Sequence, residues 1–353
     1  MVQQRPGIDS LPSYIQGKAI PDAVKLSSNE NPYPPLDSVR EVVARELDSF
    51  NLYPDMGATA LVSRIAERLG VRPAEIAVGA GSVEVLAQLI HASAGEGDEV
   101  IFAWRSFEAY PILTQVAGAT PVPVPLTADE RHDFAAMAAA VTERTRLILV
   151  CSPNNPTGTT VRADELEQFL AAVPKHVLVV FDEAYVHFNT AQGKADGLDF
   201  FRRHENVAVL HTFSKAYGLA GLRVGYAVAR EAVATNLRRV SVPFAVSNLA
   251  QTAAVASLDA EPELQQRIDV IVAERARLLA ALREAGWHAI DSFGNFVWLR
   301  TGERTPEIDL ALQQHSVVAR AYGVEGLRVT VGSPEMNDRF LSAIASVEPV
   351  TAA

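Results

Sequence analysis

The sequence is poor in cysteine and has no long hydrophobic run. Cys151 is the single cysteine, so a disulfide within the chain and a cysteine-based metal cluster are excluded, and we expect Cys151 to be a small buried residue at a strand end. The most apolar segments, LILVCSP and HVLVVFDEAY, reach polar residues too soon to span a membrane. The first residues, MVQQRPGIDSLPSYIQGK, lack the apolar core of a signal peptide. These absences predict a soluble, cytoplasmic protein.

Positive charge is also scarce: the chain has 31 Lys and Arg residues and 42 Asp and Glu residues, which gives a net charge of -11. This balance argues against nucleic acid as a partner, since phosphate binding needs a basic surface. Small anionic substrates remain possible where a few arginines face one cleft. The length of 353 residues and a hydrophobic fraction of 48% indicate a globular protein with two domains.

The first forty residues are rich in proline and predict irregular structure. After them, short apolar strands alternate with helical segments, a pattern typical of a mostly parallel sheet covered on both faces. The predicted strands are residues 75–78, 99–103, 147–151, 177–182, 207–211 and 226–229, and the predicted helices are 83–91 and 163–173.

The pattern changes after residue 258, which predicts a second, smaller domain of the α+β type. A long charged helix at 262–285 precedes the predicted strands at 288–291, 295–300, 317–321 and 327–331 and the predicted helices at 306–315 and 335–347. The chain is therefore predicted to be an α/β protein. Residues 1–40 form an arm that joins the small domain, 41–258 a large domain with a mostly parallel, seven-stranded type of sheet, and 259–353 the small domain.

A lysine surrounded by hydroxyls and glycines directly follows one apolar strand, in HTFSKAYGLAGLRVGYA. A solvated loop lysine is the ordinary interpretation of such a position. However, Thr212 and Ser214 flank Lys215, and Arg223 follows in a glycine-rich loop, which suits a phosphate dianion. An amine whose pKa is lowered by a nearby cation and by burial can form a Schiff base. A lysine beside a phosphate-binding pocket predicts pyridoxal phosphate as the cofactor.

Two other strand ends carry polar residues that suit the same cofactor. In FDEAYVHF, Asp182 can keep a pyridine nitrogen protonated and Tyr185 can donate to the ring's O3′, although an aspartate at a strand end also commonly caps a turn. In CSPNNPTG, the residues first predict a turn, and Asn155 can give O3′ a neutral hydrogen bond.

A glycine turn between a strand and a helix, in VGAGSVEVL, can present backbone amides to an anion. Gly79, Gly81 and Ser82 are the residues that allow these amides to face the anion. A dinucleotide-binding fingerprint is the alternative, but Glu84 stands where the third glycine of that fingerprint belongs. No metal-binding pattern accompanies these motifs.

In this order and spacing the motifs resemble the fold-type I pyridoxal-phosphate aminotransferases, the aspartate aminotransferase superfamily, over about residues 27–331. The resemblance implies that Lys215 binds the cofactor covalently and moves a proton, and that Asp182 pairs with the pyridine nitrogen. Asn155 and Tyr185 would hold O3′, and Phe107 would stack on the ring. The phosphate would be held by Gly81, Ser82, Val83, Thr212, Ser214 and Arg223.

The same resemblance implies the substrate contacts and the oligomer. Arg328, in GLRVTVG, would form a bidentate pair with the substrate α-carboxylate, and Asn29 and Tyr14 would also contact substrate. Tyr53, in LYPDMGATAL, would reach the phosphate in a neighbouring subunit, so we expect a homodimer with shared active sites.

Within the superfamily, SSNENPYPP, YPD and SKAYGLAGLRVGYA resemble the histidinol-phosphate aminotransferase branch. AWRSFEAYPI, VPFAV, TRLILVCSPNNPTG and NFVWL resemble the aromatic amino acid aminotransferases of actinobacterial type in that branch. The expected reaction is therefore transamination of phenylalanine, tyrosine and tryptophan with 2-oxoglutarate. Histidinol-phosphate transamination and a pyridoxal-phosphate decarboxylase are the alternatives. Five aromatic residues are expected to wall the ring pocket: Trp104, Phe107, Tyr110, Phe244 and Trp298.

Overall fold

A computed structural model describes residues 2, 8–11, 20–49 and 51–350. Tyr14, predicted to contact substrate, lies outside the described residues. None of the helices in the described ranges combines the length and the apolar character that crossing a membrane requires.

Two sheets and one additional strand pair form the framework. The strands are β1 Val24–Lys25, β2 Ile76–Gly79, β3 Glu99–Trp104, β4 Thr120–Pro125, β5 Thr145–Cys151, β6 Leu178–Asp182, β7 Val207–Thr212, β8 Gly225–Val228, β9 Phe296–Leu299, β10 Val317–Val318, β11 Arg320–Tyr322 and β12 Gly326–Thr330. The helices are α1 Asp37–Arg45, α2 Thr59–Leu69, α3 Ser82–Ser93, α4 Ala109–Ala117, α5 Phe134–Ala139, α6 Ala163–Ala172, α7 Gly197–Arg203, α8 Glu231–Val240, α9 Asn248–Asp259, α10 Glu261–Glu284, α11 Thr305–Gln314 and α12 Pro334–Ile344.

The large sheet has seven strands in the order β2-β8-β7-β6-β5-β3-β4, and it confirms the predicted mostly parallel α/β fold. β3, β4, β5, β6 and β7 run parallel, whereas β8 is antiparallel to β2 and β7. Successive residues of a strand point to opposite faces, and along β7 Val207 and Val209 join one hydrophobic cluster while Ala208 and Leu210 join the other. The core therefore lies on both faces of the sheet, as the continuous apolar strands predict.

Parallel strands end at the same edge of the sheet, and three of them end in polar or small residues. Cys151 is the last residue of β5, Asp182 of β6 and Thr212 of β7, and Cys151 lies opposite Asp182 in the strand register. Cys151 is buried, as predicted. This edge is where open α/β sheets bind ligands, so the fold itself brings the predicted site residues together.

The sequence prediction of the strands fails at several positions, three of which have identifiable reasons. β4, with the sequence TPVPVP, was not predicted because proline removes a donor from the ladder; β4 pairs only with β3 and lies at the edge, where one side needs no partner. The strand predicted at 288–291 is wrong, because Ala289 makes only an isolated bridge to Leu299. The segment predicted at 317–321 divides into β10 and β11, which belong to different sheets.

The C-terminal part contains a three-stranded antiparallel sheet in the order β11-β12-β9. Its strands lie near α11, and α10 and α12 pack on one another beside them. The arm joins this part, since β1 pairs in parallel with β10 and the amide of Leu26 donates to the carbonyl of Val318 at 2.8 Å. The domain boundaries at residues 40 and 258 stay predictions.

A buried arginine on α10 connects the loop after β6 with the segment before β9. Arg275 is only 4% exposed, and its Nη1 donates to the carbonyls of Phe188 and Gly294, both at 2.8 Å. Its Nη2 lies 3.3 Å from Thr190 Oγ1. One planar guanidinium therefore satisfies two backbone carbonyls from distant parts of the chain, which fixes the position of α10.

Replacing Arg275 with Met should lower the free energy of unfolding by about 2 kcal/mol, because two carbonyls lose their donor. Arg239→Met is the matched control, since Arg239 is exposed and bonds only Asn236 on its own helix; its expected effect is below about 0.5 kcal/mol. Urea unfolding of both variants measures the difference. Equal stabilities of the two variants would contradict a structural role for Arg275.

Candidate active site

A cavity of about 640 Å³ opens at the carboxyl edge of the large sheet. Motifs that are far apart in the sequence meet in its wall, because they follow neighbouring strands. The predicted residues that line it are Ser82, Val83, Phe107, Asn155, Asp182, Tyr185, Thr212, Ser214, Lys215 and Arg223.

Lys215 lies in the loop that follows β7, and its Nζ donates to the carbonyl of Ser28 at 3.1 Å. Desolvation in the cavity wall, together with the positive charges of Arg328 and Arg223, lowers the pKa of Lys215 to about 7, while Glu30 acts in the opposite direction. A substantial fraction of the Lys215 amine is therefore neutral near pH 7, the form that can attack a carbonyl carbon.

Asp182 is held by two donors at the end of β6. Its Oδ2 accepts a hydrogen bond from the Tyr110 hydroxyl at 2.7 Å, and its Oδ1 accepts one from the amide of Ala184 at 3.2 Å. Burial raises the pKa of Asp182 to about 6, and both hydrogen bonds oppose this rise. The carboxylate is thus kept largely ionised near neutral pH, despite being buried.

The position of Tyr110 corrects a prediction. Tyr110 was expected to form an apolar wall of the substrate pocket, but it is fully buried on α4 and its hydroxyl bonds Asp182 behind the cavity. This contact could not be predicted from sequence patterns, since the two residues are separated by 72 positions.

Three more of the predicted wall residues do not line the cavity. Trp104 packs edge-on against Phe102, and Trp298 is buried against Tyr322. Phe244 is 43% exposed and stacks on Tyr53. Of the five aromatic residues predicted for this wall, only Phe107 lines the cavity.

One end of the cavity is built to receive an anion. Ser82 begins α3, so backbone amides at the helix N-terminus lie beside the Arg223 guanidinium and the hydroxyl-bearing loop after β7. Gly81 has a φ of 82°, and a Cβ there would overlap the guanidinium of Arg223. A Cβ at Gly225 would overlap the amide nitrogen of Ser82. The close approach of these groups therefore depends on two glycines.

Arg223 has no carboxylate partner among the described residues. Its Nη1 donates to the carbonyl of Ala220 at 3.0 Å. The remaining donors of the guanidinium are available to an anion at the N-terminus of α3.

A second arginine, Arg328 on β12, is buried at 6% exposure and touches only neutral acceptors. Nη1 donates to Asn155 Oδ1 at 2.5 Å and to the Tyr322 hydroxyl at 2.9 Å, and Nη2 donates to the carbonyl of Ser27 at 2.6 Å. Neither a carboxylate partner nor an acceptor for Nε is found for Arg328 in the described part of the chain. A buried guanidinium without a counter-ion is costly, and an anionic substrate group beside Asn155 would offset that cost.

Asn29 contacts a catalytic candidate but does not line the cavity. Its Nδ2 donates to the Tyr185 hydroxyl at 3.0 Å, and its Oδ1 accepts a hydrogen bond from Thr330 at 3.1 Å. Burial raises the pKa of Tyr185, so its phenol stays protonated and can donate towards the cavity. Asn29 therefore orients Tyr185, and its predicted contact with substrate stays a prediction.

Tyr53 lies outside the cavity of its own chain, 82% exposed, with its ring 4.7 Å from that of Phe244. Three residues of the arm line the cavity without having been predicted to do so: Lys25, Ser28 and Glu30. They belong to the proline-rich arm, where no periodic pattern indicates which side chains face inward.

Residues 21–344 match the model of the family described as aminotransferase class I and II. A relative from Cutibacterium acnes, named aromatic amino acid aminotransferase, is 54% identical over 343 residues, covering 97% of each chain. A relative of the same name from Streptomyces avermitilis is 58% identical over 341 residues, covering 96% of this chain and 95% of its own.

Solved structures agree with this fold. A putative histidinol-phosphate aminotransferase from Erwinia carotovora atroseptica superimposes with a TM-score of 0.87 at 23% identity, covering 94% of this chain and 97% of its own, and shows the fold alone. A histidinol-phosphate aminotransferase from Sinorhizobium meliloti, solved with pyridoxal 5′-phosphate, gives a TM-score of 0.84 at 25% identity, covering 91% and 90%. The predicted aminotransferase fold and the predicted cofactor are confirmed. The chain belongs to the aminotransferase class I and II family.

Proposed function

We propose that this chain transfers the amino group of phenylalanine, tyrosine or tryptophan to 2-oxoglutarate. The observation that carries the proposal is Arg328, a buried guanidinium that bonds only neutral acceptors among the described residues and donates to Asn155, which lines the cavity. An α-carboxylate bound there would bring the substrate's Cα towards Lys215. Relatives more than half identical over nearly the whole chain carry the name aromatic amino acid aminotransferase, which supports the aromatic substrates.

The residues of the cavity fit pyridoxal phosphate at each of its functional groups. Arg223 and the N-terminus of α3 suit the phosphate, with the hydroxyls of Ser82, Thr212 and Ser214 as further donors. Asp182 suits the pyridine nitrogen, because two hydrogen bonds hold its carboxylate ionised. Phe107 provides an apolar surface for the ring.

O3′ of the cofactor has two candidate donors. Asn155 Oδ1 accepts from Arg328, so its Nδ2 is the atom left to donate to O3′. Tyr185 adds a phenol whose hydroxyl is oriented by Asn29. Asn155 contacts Arg328 and would also donate to the cofactor, so it would link the positions of substrate and cofactor.

The protein's part in the reaction is to orient the substrate and to move one proton. Arg328 holds the α-carboxylate so that the Cα–H bond faces Lys215, whose neutral Nζ removes the proton and later returns it. The bound cofactor supplies the electron-withdrawing ring that stabilises negative charge at Cα. Asp182 maintains the protonated pyridine nitrogen on which that stabilisation depends.

The aromatic amino acids are favoured over histidinol phosphate by the form of the Arg328 site. Histidinol phosphate has a phosphate ester in place of the α-carboxylate, and this larger dianion needs more donors than a carboxylate. Arg328 is enclosed, and Asn155, Tyr322 and Ser27 already occupy much of its surroundings. A planar carboxylate that pairs with one guanidinium suits this space better.

A homodimer is part of the proposal. Tyr53 and its neighbours Leu52 and Met56 are exposed at 82%, 63% and 64%, and Val242 and Phe244 are exposed beside them. Such a contiguous apolar patch is typical of a protein–protein interface. Tyr53 would then reach the phosphate site of the second subunit. The cytoplasmic location remains a prediction from the sequence.

The first test compares kcat/KM for phenylalanine and histidinol phosphate, each with 2-oxoglutarate as acceptor. We expect phenylalanine to exceed histidinol phosphate by about tenfold or more, a difference of about 1.4 kcal/mol in transition-state stabilisation. Lys215→Ala is the control and should abolish turnover with both substrates. A preference for histidinol phosphate would replace the aromatic assignment, and full activity of Lys215→Ala would refute the assignment of the lysine.

The pKa of Lys215 predicts how cofactor binding depends on pH. Only the neutral amine attacks the cofactor aldehyde, so the rate at which the apoenzyme binds pyridoxal phosphate should rise with pH and level off above about 7. Because Arg328 lowers the pKa of Lys215, Arg328→Met should move this profile to higher pH. Stopped-flow absorbance of the cofactor measures both. A profile with a midpoint near 10 would mean that the Lys215 amine is not perturbed.

Tyr110 is expected to act through Asp182. Tyr110→Phe removes a hydrogen bond that lowers the Asp182 pKa, so this pKa should rise above about 6. Tight cofactor binding, which needs the ionised carboxylate, should then be lost at higher pH than in the wild type as pH falls. Tyr226→Phe is the control, a buried tyrosine that stacks on His211 instead. Identical pH profiles of cofactor affinity for Tyr110→Phe and wild type would contradict this role.

A further inference from the structure

A lysine of the arm faces the same cavity and has no role in the site described so far. Lys25 ends β1, lines the cavity and forms an ion pair with Glu30, with 2.8 Å between Nζ and Oε1. The two side chains are 34% and 49% exposed. Glu30 also lines the cavity, so the complete ion pair lies in its wall.

The backbone between these two residues is fixed directly over the reacting groups. The carbonyl of Ser28 accepts from Lys215 Nζ at 3.1 Å, and the carbonyl of Ser27 accepts from Arg328 Nη2 at 2.6 Å. The backbone amide of Asn29 donates a hydrogen bond to Thr330 Oγ1 at 2.9 Å. Segment 25–30 therefore spans the lysine that moves the proton and the arginine that binds the α-carboxylate.

Lys25 and Glu30 are also electrostatically close to the reaction centre. Glu30 raises the pKa of Lys215 and Lys25 lowers it, so the field of the pair reaches the Lys215 amine. The two effects oppose one another while the pair is closed. A substrate that separated Lys25 from Glu30 would therefore change the electrostatic field at the Lys215 amine.

The proposed reaction makes two different demands on one cavity. The aromatic amino acid and glutamate share the α-amino and α-carboxylate groups, but one has a neutral ring where the other has a second carboxylate. A carboxylate that enters a partly desolvated cavity needs a cation or several donors. In the proposed function Arg328 would bind the α-carboxylate, Arg223 would bind the cofactor phosphate and Lys215 would move the Cα proton, so none of the three is left for a second carboxylate.

We propose that Lys25 binds the distal carboxylate of 2-oxoglutarate and glutamate by exchanging Glu30 for the substrate, and that the pair stays closed when an aromatic substrate is bound. This inference rests on the proposed function and names the residue that accommodates its acidic substrate. The exchange is favourable because a half-exposed ion pair is weak and because the substrate replaces one carboxylate with another. The flexible four-carbon stem of lysine allows the ammonium to turn while the backbone stays fixed.

Glu30 has a defined part in this exchange. While Lys25 is paired, the neutralised pair presents no net charge to an aromatic ring. When an acidic substrate enters, the Glu30 carboxylate competes with it for Lys25 and repels it. Glu30 therefore weakens the binding of the acidic substrate, and its removal should strengthen that binding.

The test uses the holoenzyme and two unreactive ligands. Glutarate has the two carboxylates of 2-oxoglutarate, and 3-phenylpropionate has one carboxylate and a ring. Lys25→Met should weaken glutarate binding about tenfold relative to 3-phenylpropionate binding, and Glu30→Gln should strengthen glutarate binding about threefold. Changes in cofactor absorbance report both dissociation constants. Lys175→Met is the matched control, an exposed lysine before β6 at the opposite edge of the sheet.

Single-turnover rates should show the same selectivity: Lys25→Met should lower the rate with glutamate about tenfold relative to the rate with phenylalanine. If Lys25→Met weakens both ligands equally, or neither, Lys25 does not recognise the distal carboxylate and the inference is overturned. Failure of the proposed function is a separate result, in which the wild-type enzyme converts neither amino acid. The two dissociation constants decide the role of Lys25 in that case as well.

Discussion

The structure depends on holding charged groups at a sheet edge where little water reaches them. Asp182, Lys215 and Arg328 lie around one cavity, and each is stabilised differently. Asp182 accepts hydrogen bonds from Tyr110 and Ala184. Burial lowers the pKa of the Lys215 amine to about 7, and Arg328 donates to neutral acceptors. Moving Asp182 or Lys215 into water would remove the pKa shift on which its chemistry depends.

The sequence predicted those parts of the site that follow directly from strand ends. Asp182 ends an apolar strand, and Asn155 and Lys215 follow closely after two others. Parallel strands bring their carboxyl ends together, so the meeting of these residues follows without knowledge of the loops. Tyr110 was misassigned, because its role is set by a contact with Asp182 across the sheet and not by its neighbours in the sequence. Aromatic residues carry the same hydrophobic signal whether they line a pocket or support it from behind.

The arm was the least predictable part, for a related reason. Proline-rich irregular segments have no periodicity, so the sequence does not indicate which residues of 20–40 face the site. Their positions are determined by residues some 300 positions away: Asn29 is held by Thr330, and Ser27 accepts from Arg328. The same limit explains β4, where alternating prolines are tolerated only because the strand lies at the edge of the sheet.

Two arginines of the site have no carboxylate partner among the described residues, and a bound ligand would supply the missing negative charge. Arg223 and Arg328 lie at separate points of the site, and no carboxylate in the described ranges neutralises either one. A ligand that brings a phosphate to the first and a carboxylate to the second neutralises both charges and fixes its own orientation between them. The bond that must break then lies near Lys215, whose pKa is lowered first by burial and in addition by these cations. The charges that attract the ligand thus help burial to keep its proton acceptor neutral.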